Sequence, residues 1–318
     1  MTRIAILDDY QGVAMECADW DSLPDGCTVT SFGEALGDED AIANRLKDFD
    51  VIIGMRERTP FPKSLISKLP NLKLLITTGL RNMSFDVAAA NDQGVVVCGT
   101  VSQATPAAEL TWGLVLSLFK QIPLENTVMH AGCWQKAFPA TMHGKTIGII
   151  GLGKLGSRIA AYASVFGMKV LAWSPNLTQE RANEHNATAV SKEALFSDSD
   201  LLTIHMPLVP ASRGLVTSED LGRMKSSAYI VNTSRGPIVD ENALVDACRN
   251  GTIAGAGVDV YDVEPLPTDH PFRSIDNMIL TGHIGYVTRD NYEGMYAHAI
   301  ENITGWLDGT PLRELESK

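Results

Sequence analysis

Cysteine is scarce in this sequence, and its few positions follow no metal-binding or disulfide pattern. The number is odd, and no two cysteines form a Cys-x-x-Cys pair. The five positions are Cys17, Cys27, Cys98, Cys133 and Cys248. We therefore expect neither a disulfide framework nor a metal site, and a reducing cytoplasmic location fits this usage.

Long hydrophobic runs and an excess of positive charge are also lacking. The longest apolar stretch, residues 110–119, is about half of a membrane span. The apolar run at the N-terminus is too short for a signal-peptide core and is typical of a first β-strand. A formal net charge of −12 disfavours nucleic acid and anionic membranes as partners. These absences indicate a soluble protein and leave open a local positive pocket for an anionic substrate.

Short apolar runs alternate with helix-like segments along the chain, and this alternation predicts parallel βαβ units. The first series has strands at 4–7, 51–54, 72–77 and 95–98, with helices at 38–47 and 62–69 between them. A long helix follows at 106–120, with Thr105 and Pro106 as its N-cap and first residue. The second series has strands at 146–150, 169–173, 201–205, 228–232, 256–260 and 278–281, and a last helix spans 288–307.

The glycine-rich sequence Gly151-Leu-Gly153-Lys-Leu-Gly156 lies between the strand at 146–150 and an alanine-rich helix. In a dinucleotide fold the first glycine permits the tight turn, the second lets the backbone approach the pyrophosphate, and the third lets helix pack on strand. Such a fold starts at its first strand, yet this loop lies near mid-chain. We therefore predict two Rossmann- or flavodoxin-like α/β lobes with doubly wound parallel sheets and a cleft between them. Residues 1–99 plus 287–318 would form the substrate domain, and 100–286 the dinucleotide-binding domain.

The acidic residue expected at the end of the second strand is missing. The chain has Trp173-Ser174-Pro175-Asn176 there, so no carboxylate repels the 2′-phosphate of NADP. No Arg or Lys stands in that turn to attract the phosphate either. NAD is the predicted cofactor, with NADP left open.

Three short motifs near the end of the chain place an Arg, a Glu and a His just beyond predicted strand ends, where open α/β sheets bind ligands. They are Asn232-Thr-Ser-Arg235-Gly-Pro, Asp262-Val-Glu264-Pro and Gly282-His283-Ile-Gly285. An Arg can hold a carboxylate with two parallel hydrogen bonds, a His can move a proton near neutral pH, and a Glu can orient that His. Each also has an ordinary alternative: a surface ion pair, a solvated loop acid or a packed core histidine. Together they favour hydride transfer to or from a small carboxylic acid.

The chain resembles the D-isomer-specific 2-hydroxy-acid dehydrogenases over nearly its whole length. The resemblance rests on residues 79–94, Thr105-Pro-Ala-Ala-Glu109-Leu, Gly144-Lys-Thr-Ile-Gly-Ile-Ile-Gly-Leu-Gly153, His205-Met-Pro-Leu, 231–239, 257–267 and His283-Ile-Gly. It implies that Arg235 binds the substrate carboxylate, that His283 is the general acid/base with Glu264 as its partner, and that Asp259 contacts the nicotinamide amide. The cofactor contacts it implies are Gly151, Gly153, Lys154, Leu155, Gly156, Ser174, His205, Pro207, Thr233, Asp259 and Gly285.

The resemblance also implies substrate contacts, through the backbone N–H groups of Gly79 and Leu80, and two of the predicted positions depart from the family. Arg81 replaces a small or aromatic residue, and Tyr286 stands where small residues are common. With Arg56, and Arg58 beside it, Arg81 predicts a second anionic group on the substrate; the alternative is that these arginines pair with Glu57 or Asp86. A small 2-oxo or 2-hydroxy acid is the expected substrate.

Two further expectations concern assembly and a rival function. Family members are usually dimers, so a homodimer is expected, with the apolar helix at 110–119 as a candidate surface. Trp134 is expected to pack in a core, and the alternatives are that it closes the cleft or packs at an interface. The rival is a nucleotide-sensing binding protein on the same fold, resembling a transcriptional corepressor. Oxidation of formate or phosphite, known in the same superfamily, is not favoured by the pattern around His283.

Overall fold

The structure is a computed structural model that describes residues 1–316 and divides into two compact units. The first unit comprises Met1–Gln103 and the chain from Val287 onward, and the second comprises Ala104–Tyr286. The substrate-binding role of the first part stays a prediction.

Strands and helices alternate through both units. The strands are β1 (Thr2–Ile6), β2 (Cys27–Ser31), β3 (Val51–Gly54), β4 (Leu74–Thr77), β5 (Val96–Gly99), β6 (Thr146–Ile150), β7 (Lys169–Trp173), β8 (Thr188–Ala189), β9 (Leu201–Ile204), β10 (Tyr229–Asn232), β11 (Gly255–Val258) and β12 (Met278–Leu280). The α-helices are α1 (Glu39–Leu46), α2 (Lys63–Ile66), α3 (Val87–Asp92), α4 (Thr105–Lys120), α5 (Ile122–His130), α6 (Lys154–Val165), α7 (Gln179–Asn183), α8 (Lys192–Asp198), α9 (Ser218–Arg223), α10 (Glu241–Arg249) and α11 (Arg289–Leu307). The predicted α/β class with two lobes is confirmed.

Each unit contains one parallel sheet. The five strands of the first unit lie in the order β2-β1-β3-β4-β5, and the seven of the second in the order β12-β11-β10-β9-β6-β7-β8. All strand pairs in the described part of the chain are parallel. Because the carboxyl ends of parallel strands share one edge, the residues after β6, β9, β10, β11 and β12 all lie at the same edge of the second sheet.

Two strands escaped the sequence prediction for a physical reason. Strand β2 alternates intermediate and exposed residues at the sheet edge, so it has no continuous apolar run. Strand β8 has only two residues. Fully buried strands such as β3 and β9, by contrast, are apolar almost throughout, and an apolar run signals that kind of strand.

The long helix α4 differs from its prediction in two ways. It begins at Thr105 with Ala104 at the N-cap, so the predicted capping pair is wrong by one residue; Pro106 still lies in the first turn, where its missing N–H costs nothing. Most of its apolar side chains, including Leu114 and Leu118, are buried in the core of the second unit and do not form the predicted dimer surface.

Large exposed apolar side chains instead lie in α5 and the segment after it. Trp134 is 74% exposed and Phe138 96% exposed, so the prediction that Trp134 packs in a core is wrong. All five cysteines are free thiols. Among residues 1–316, no helix combines the length and the apolar character that crossing a membrane requires.

Candidate active site

The glycine-rich loop joins β6 to α6, and its three glycines meet different surroundings. Gly151 has φ +91°, and a Cβ there would lie 2.7 Å from the carbonyl oxygen of His205. A Cβ on Gly156 would overlap the carbonyl oxygen of Gly151. At Gly153, the N-cap of α6, no atom lies within 4 Å of the position that a Cβ would take. The fold itself therefore requires Gly151 and Gly156, while Gly153 leaves open space at a helix N-terminus that fits a pyrophosphate.

Other predicted cofactor residues surround this loop at the same sheet edge. Lys154 is exposed and Leu155 half-buried in the first turn of α6. Ser174 follows β7 and is half-buried, and its carbonyl oxygen accepts the N–H of Leu177 in a turn. No carboxylate follows β7 directly, as the sequence shows.

His205, directly after β9, carries a buried ring nitrogen without a partner. Its Nε2 atom has no hydrogen-bond partner among residues 1–316. Burial lowers the pKa of His205 to about 4, so the ring is neutral at physiological pH. An unpaired buried nitrogen is costly unless a ligand or water pairs with it, and His205 therefore fits the edge of a nucleotide site. Pro207 lies in the next turn, where its carbonyl oxygen accepts the hydroxyl of Ser212 at 2.7 Å.

Arg235 lies in a short loop after β10 that Asn232 holds in place. The side-chain amide of Asn232 donates to the carbonyl oxygen of Arg235 at 3.0 Å, and its Oδ1 accepts the N–H of Ser234 at 3.1 Å. The guanidinium donates through Nη1 to the carbonyl oxygen of Ser234 at 2.7 Å. Just before it, the hydroxyls of Thr233 and Thr111 of α4 are 2.7 Å apart. Hydrogen bonds from Asn232 thus hold the main chain of the loop, and the Arg235 side chain on it is half-buried.

Glu264 and His283 form a direct pair. The Nδ1 atom of His283 lies 2.6 Å from Oε2 of Glu264, and Oε1 accepts the N–H of Tyr261 at 3.0 Å. Burial raises the pKa of Glu264, but the hydrogen bond and charge of His283, the Tyr261 N–H and the charge of Arg235 outweigh burial and leave it below its usual value. An ionised carboxylate accepts only, so Nδ1 carries the proton of this hydrogen bond.

Asp259 supports the turn that carries His283. Its carboxylate, which is fully buried, accepts the hydroxyl of Thr281 at 2.6 Å and the N–H groups of Ile284 and Gly285 at 2.9 and 3.0 Å. His283 lies within that turn with φ +54°, a left-handed conformation that non-glycine residues adopt rarely. These contacts give Asp259 a structural function that the sequence did not reveal; its contact with the nicotinamide stays a prediction.

Tyr286 is the last member of this group and contacts His283. Its ring lies edge-on to the His283 ring, with centroids 5.8 Å apart. The Tyr286 side chain is nearly buried. The second unit thus holds together the predicted residues Arg235, Asp259, Glu264, His283, Gly285 and Tyr286.

Four predicted substrate residues belong to the first unit, at the carboxyl edge of its own sheet. Arg56 follows β3 with φ +55° and donates through Nη1 to the carbonyl oxygen of Thr78 at 3.2 Å. Its Nε lies 3.9 Å from Glu57, which is one of the predicted alternative pairings. Asp86 instead caps α3. Gly79 has φ +138°, and Leu80 and Arg81 are exposed.

Sequence reasoning missed several supporting residues: Asn232, Tyr261, Thr281, and Thr100, whose hydroxyl oxygen accepts the N–H of Gly79 at 3.1 Å. They share one signal, a polar or aromatic side chain within a few residues of a buried strand's carboxyl end. Within residues 1–316 no cluster of His, Cys, Asp and Glu side chains is placed to hold a metal ion.

Comparison with known proteins shows to which family the chain belongs. A family model described as "D-isomer specific 2-hydroxyacid dehydrogenase, NAD binding domain" matches residues 112–285, which is more than half of the chain. The chain belongs to this family. The matched residues lie in the second unit, which is therefore the NAD-binding domain of the family, with NAD(H) as its cofactor.

The relatives that this chain resembles carry the names of different enzymes. D-3-phosphoglycerate dehydrogenase of Synechocystis sp. is 36% identical over 278 residues, covering 86% of this chain and 50% of that protein. Hydroxypyruvate reductase of Blautia hydrogenotrophica is 30% identical over 320 residues, covering 98% of each. The crystal structure of phosphoglycerate oxidoreductase from Vibrio cholerae O395 matches with a TM-score of 0.90 and 37% identity, covering 97% of this chain and all of that one. The chain spans about half the length of the D-3-phosphoglycerate dehydrogenases that it matches.

Proposed function

We propose that the protein interconverts a D-2-hydroxy acid and its 2-oxo acid, with Arg235 as the carboxylate anchor and His283 with Glu264 as the acid/base pair. The observation that carries the proposal is the 2.6 Å contact between His283 Nδ1 and Glu264 Oε2. When bound, the nicotinamide of NADH supplies the hydride.

The pair assigns a task to each ring nitrogen of His283. Because the ionised Glu264 accepts the Nδ1 proton, Nε2 is the atom that exchanges a proton with the substrate oxygen. In reduction, the imidazolium donates the Nε2 proton to the 2-oxygen, and in oxidation neutral Nε2 takes the hydroxyl proton. Glu264 stabilises the imidazolium, and the Asp259 carboxylate orients the ring by holding the turn on both sides of it.

Arg235 is suited to orient a carboxylate. Its main chain is held by Asn232, and one guanidinium nitrogen is engaged by Ser234. A guanidinium has five N–H donors in a planar fork, a geometry that matches a carboxylate through two parallel hydrogen bonds. Fixing the carboxylate fixes the neighbouring C2 atom relative to His283, which favours reaction by positioning.

On the cofactor side we propose Gly151, Gly153, Lys154, Leu155 and Gly156 around the pyrophosphate, and His205 with Pro207 around the nucleoside. Ser174, Thr233, Asp259 and Gly285 complete the proposed set. The open space at Gly153 and the unpaired Nε2 of His205 support this assignment. Ser174 and Asn176 can hydrogen-bond the ribose of either cofactor, and the turn has no Arg or Lys to attract a 2′-phosphate, which favours NAD over NADP.

Arg56, Gly79, Leu80, Arg81 and Tyr286 are proposed as further substrate residues. The exposed side chain of Arg81 makes no hydrogen bond or ion pair within residues 1–316, which supports recognition of an anionic group. A cytoplasmic location and a homodimer remain proposals from the sequence. No contact within the described chain favours the nucleotide-sensing alternative.

The test is oxidation of NADH and NADPH with a panel of 2-oxo acids: glyoxylate, hydroxypyruvate, phenylpyruvate, 2-oxoglutarate and phosphohydroxypyruvate. We expect turnover with NADH that His283→Ala reduces by at least about 100-fold, since acid/base catalysis contributes that much. NADH binding should remain nearly unchanged in this variant.

His270→Ala is the matched control. His270 also pairs with a glutamate, its Nε2 lying 2.9 Å from Glu241 Oε1, but it takes no part in the proposed chemistry. This variant should keep its turnover. Equal losses of turnover in the two variants, or loss of NADH binding in His283→Ala, would mean that His283 is structural.

A further inference from the structure

His283 and Tyr286 are the first and last residues of a four-residue segment whose middle is held by Asp259. The buried carboxylate of Asp259 accepts the N–H of Ile284 at 2.9 Å and the N–H of Gly285 at 3.0 Å. A Cβ on Gly285 would lie 3.2 Å from Asp259 Oδ2, so the main chain passes close to that carboxylate. Asp259 therefore fixes the backbone between the two side chains.

The side chains at the two ends of this segment pack against each other. The ring of Tyr286 lies edge-on to the imidazole of His283, with the ring planes at 82° and the centroids 5.8 Å apart. Aromatic rings attract each other in this arrangement and at this separation. Only 9% of Tyr286 and 16% of the His283 side chain are exposed, so the contact is largely shielded from water.

The contact with Tyr286 matters because Glu264 binds only one atom of the His283 ring. The 2.6 Å contact with Glu264 Oε2 fixes Nδ1, but a single hydrogen bond lets the rest of the ring swing about that atom. The terminal torsion of a histidine side chain has a broad range and does not restrict the swing by itself. The Tyr286 ring restricts it, and so determines where Nε2 points.

We infer that Tyr286 is a positioning residue for the acid/base histidine: its ring holds the imidazole of His283 so that Nε2 faces the 2-oxygen of the substrate. The inference rests on the proposed function, in which Nε2 exchanges the proton. It adds to the substrate contact proposed for Tyr286, and it gives a function to a large side chain that stands where the family commonly has a small one.

Tyr286→Leu tests the inference, because leucine fills much of the same space without an aromatic ring. Misplacing a reacting group by about 1 Å costs up to about 100-fold in rate, so a partly released imidazole should lower the rate of NADH oxidation in a single turnover about tenfold. The Kd for NADH should change by less than about twofold, because the ring takes no part in the proposed cofactor contacts. Tyr286→Phe, which keeps the ring, should retain the wild-type rate.

Substrates of different size separate positioning of His283 from direct contact with the substrate. The inference predicts the same fold loss in Tyr286→Leu for every acid of the panel that the wild type reduces, because the proton transfer is common to all of them. A loss confined to the larger acids would show that Tyr286 contacts only the substrate side chain, and would overturn the inference.

Tyr162→Leu is the matched control. The ring of Tyr162 in α6 lies edge-on to Trp112 of α4, with centroids 5.9 Å apart, so this variant removes a similar ring contact from the same unit without touching His283. It should lose stability in urea unfolding, as Tyr286→Leu does, and keep the wild-type single-turnover rate. Equal losses of rate in the two variants would mean that weakened packing alone lowers the rate.

The outcomes separate the inference from the function on which it rests. If Tyr286→Leu does not fold, Tyr286→Met takes its place, since the flexible methionine side chain adapts to an irregular space without a ring. A wild-type rate in the folded variant overturns the inference alone, and so does an equal loss in Tyr286→Phe, which would assign the effect to the hydroxyl. If the wild type reduces no 2-oxo acid of the panel, the proposed function fails and the inference falls with it.

Discussion

Gly153 offers a way to weaken cofactor binding without weakening the fold. Of the three glycines in the loop after β6, it is the one around which a Cβ meets nothing within 4 Å, whereas a Cβ on Gly156 meets the backbone of Gly151. If the pyrophosphate occupies the space at Gly153, alanine there will act through the cofactor. We therefore compare Gly153→Ala with Gly156→Ala.

The two substitutions should differ in their effect on stability. Gly153 has φ −92°, which alanine adopts freely, so the entropy gain of about 0.4–1 kcal/mol from a stiffer unfolded chain offsets a similar loss from a poorer N-cap. Gly156→Ala forces helix α6 away from the loop, and such overpacking lowers the free energy of unfolding by about 1–3 kcal/mol.

The affinity for NADH, by contrast, should fall in Gly153→Ala. A methyl group at Gly153 displaces the pyrophosphate from the N–H groups at the start of α6, and each hydrogen bond to a charged group contributes about 1.5–3 kcal/mol. Loss of two such bonds predicts a Kd for NADH at least about 100-fold higher. Titration of NADH fluorescence measures the Kd, and urea unfolding measures the stability.

A Gly153→Ala protein that binds NADH as tightly as wild type would refute this reasoning, because the methyl group could then not share space with the cofactor. A large loss of stability in the same variant would show instead that Gly153 serves the fold.

Three further variants test the second unit. Asp259→Asn replaces one of the two acceptor oxygens by an NH2 donor, so at least one of the three donors loses its acceptor; urea unfolding should show a loss of about 2 kcal/mol and the assay a lower kcat, and an unchanged kcat would contradict the orienting role. Because the pKa of Glu264 is lowered in the folded state, its stabilisation is present above about pH 4.3 and disappears as the pH falls through the folded value; unfolding of wild type and Glu264→Gln should therefore converge in acid, and parallel curves would argue against this linkage. Arg235→Ala should raise the KM for the 2-oxo acid at least about tenfold with little change in the KM for NADH, and equal activity would favour an aldehyde or sugar substrate.

The sequence predicted the buried framework better than its edges. Runs such as those of β3 and β9 are apolar because both faces of a parallel strand are covered, so composition alone identifies them. Strand β2 has one partner and a polar alternation, and a sequence reading based on apolar runs passes over it. Trp134 was misplaced for a related reason, since an aromatic side chain says nothing about the surface that it faces.

Within the candidate site, chain position after predicted strands was enough to group Arg235, Glu264 and His283. What could not be predicted was the network beneath them. The contacts of Asp259 with the Ile284 and Gly285 amides, and those of Thr100 with Gly79, involve main-chain atoms whose direction depends on φ and ψ. Backbone conformations such as φ +54° at His283 have no reliable signature in side-chain type.

The chain order of the two units has a consequence for synthesis on the ribosome. The second unit is continuous, but the first is completed only by α11, whose Tyr292 and Tyr296 are fully buried and whose Asn302 donates to Gly99. At about 5–20 residues per second, the roughly 180 residues of the second unit take on the order of 10–40 s to emerge. During that interval the N-terminal hundred residues lack the helix that covers them, while the NAD-binding unit can already fold. Nascent chains of this protein should therefore depend on chaperones at their N-terminal end, and the last helix should set the moment at which they are released.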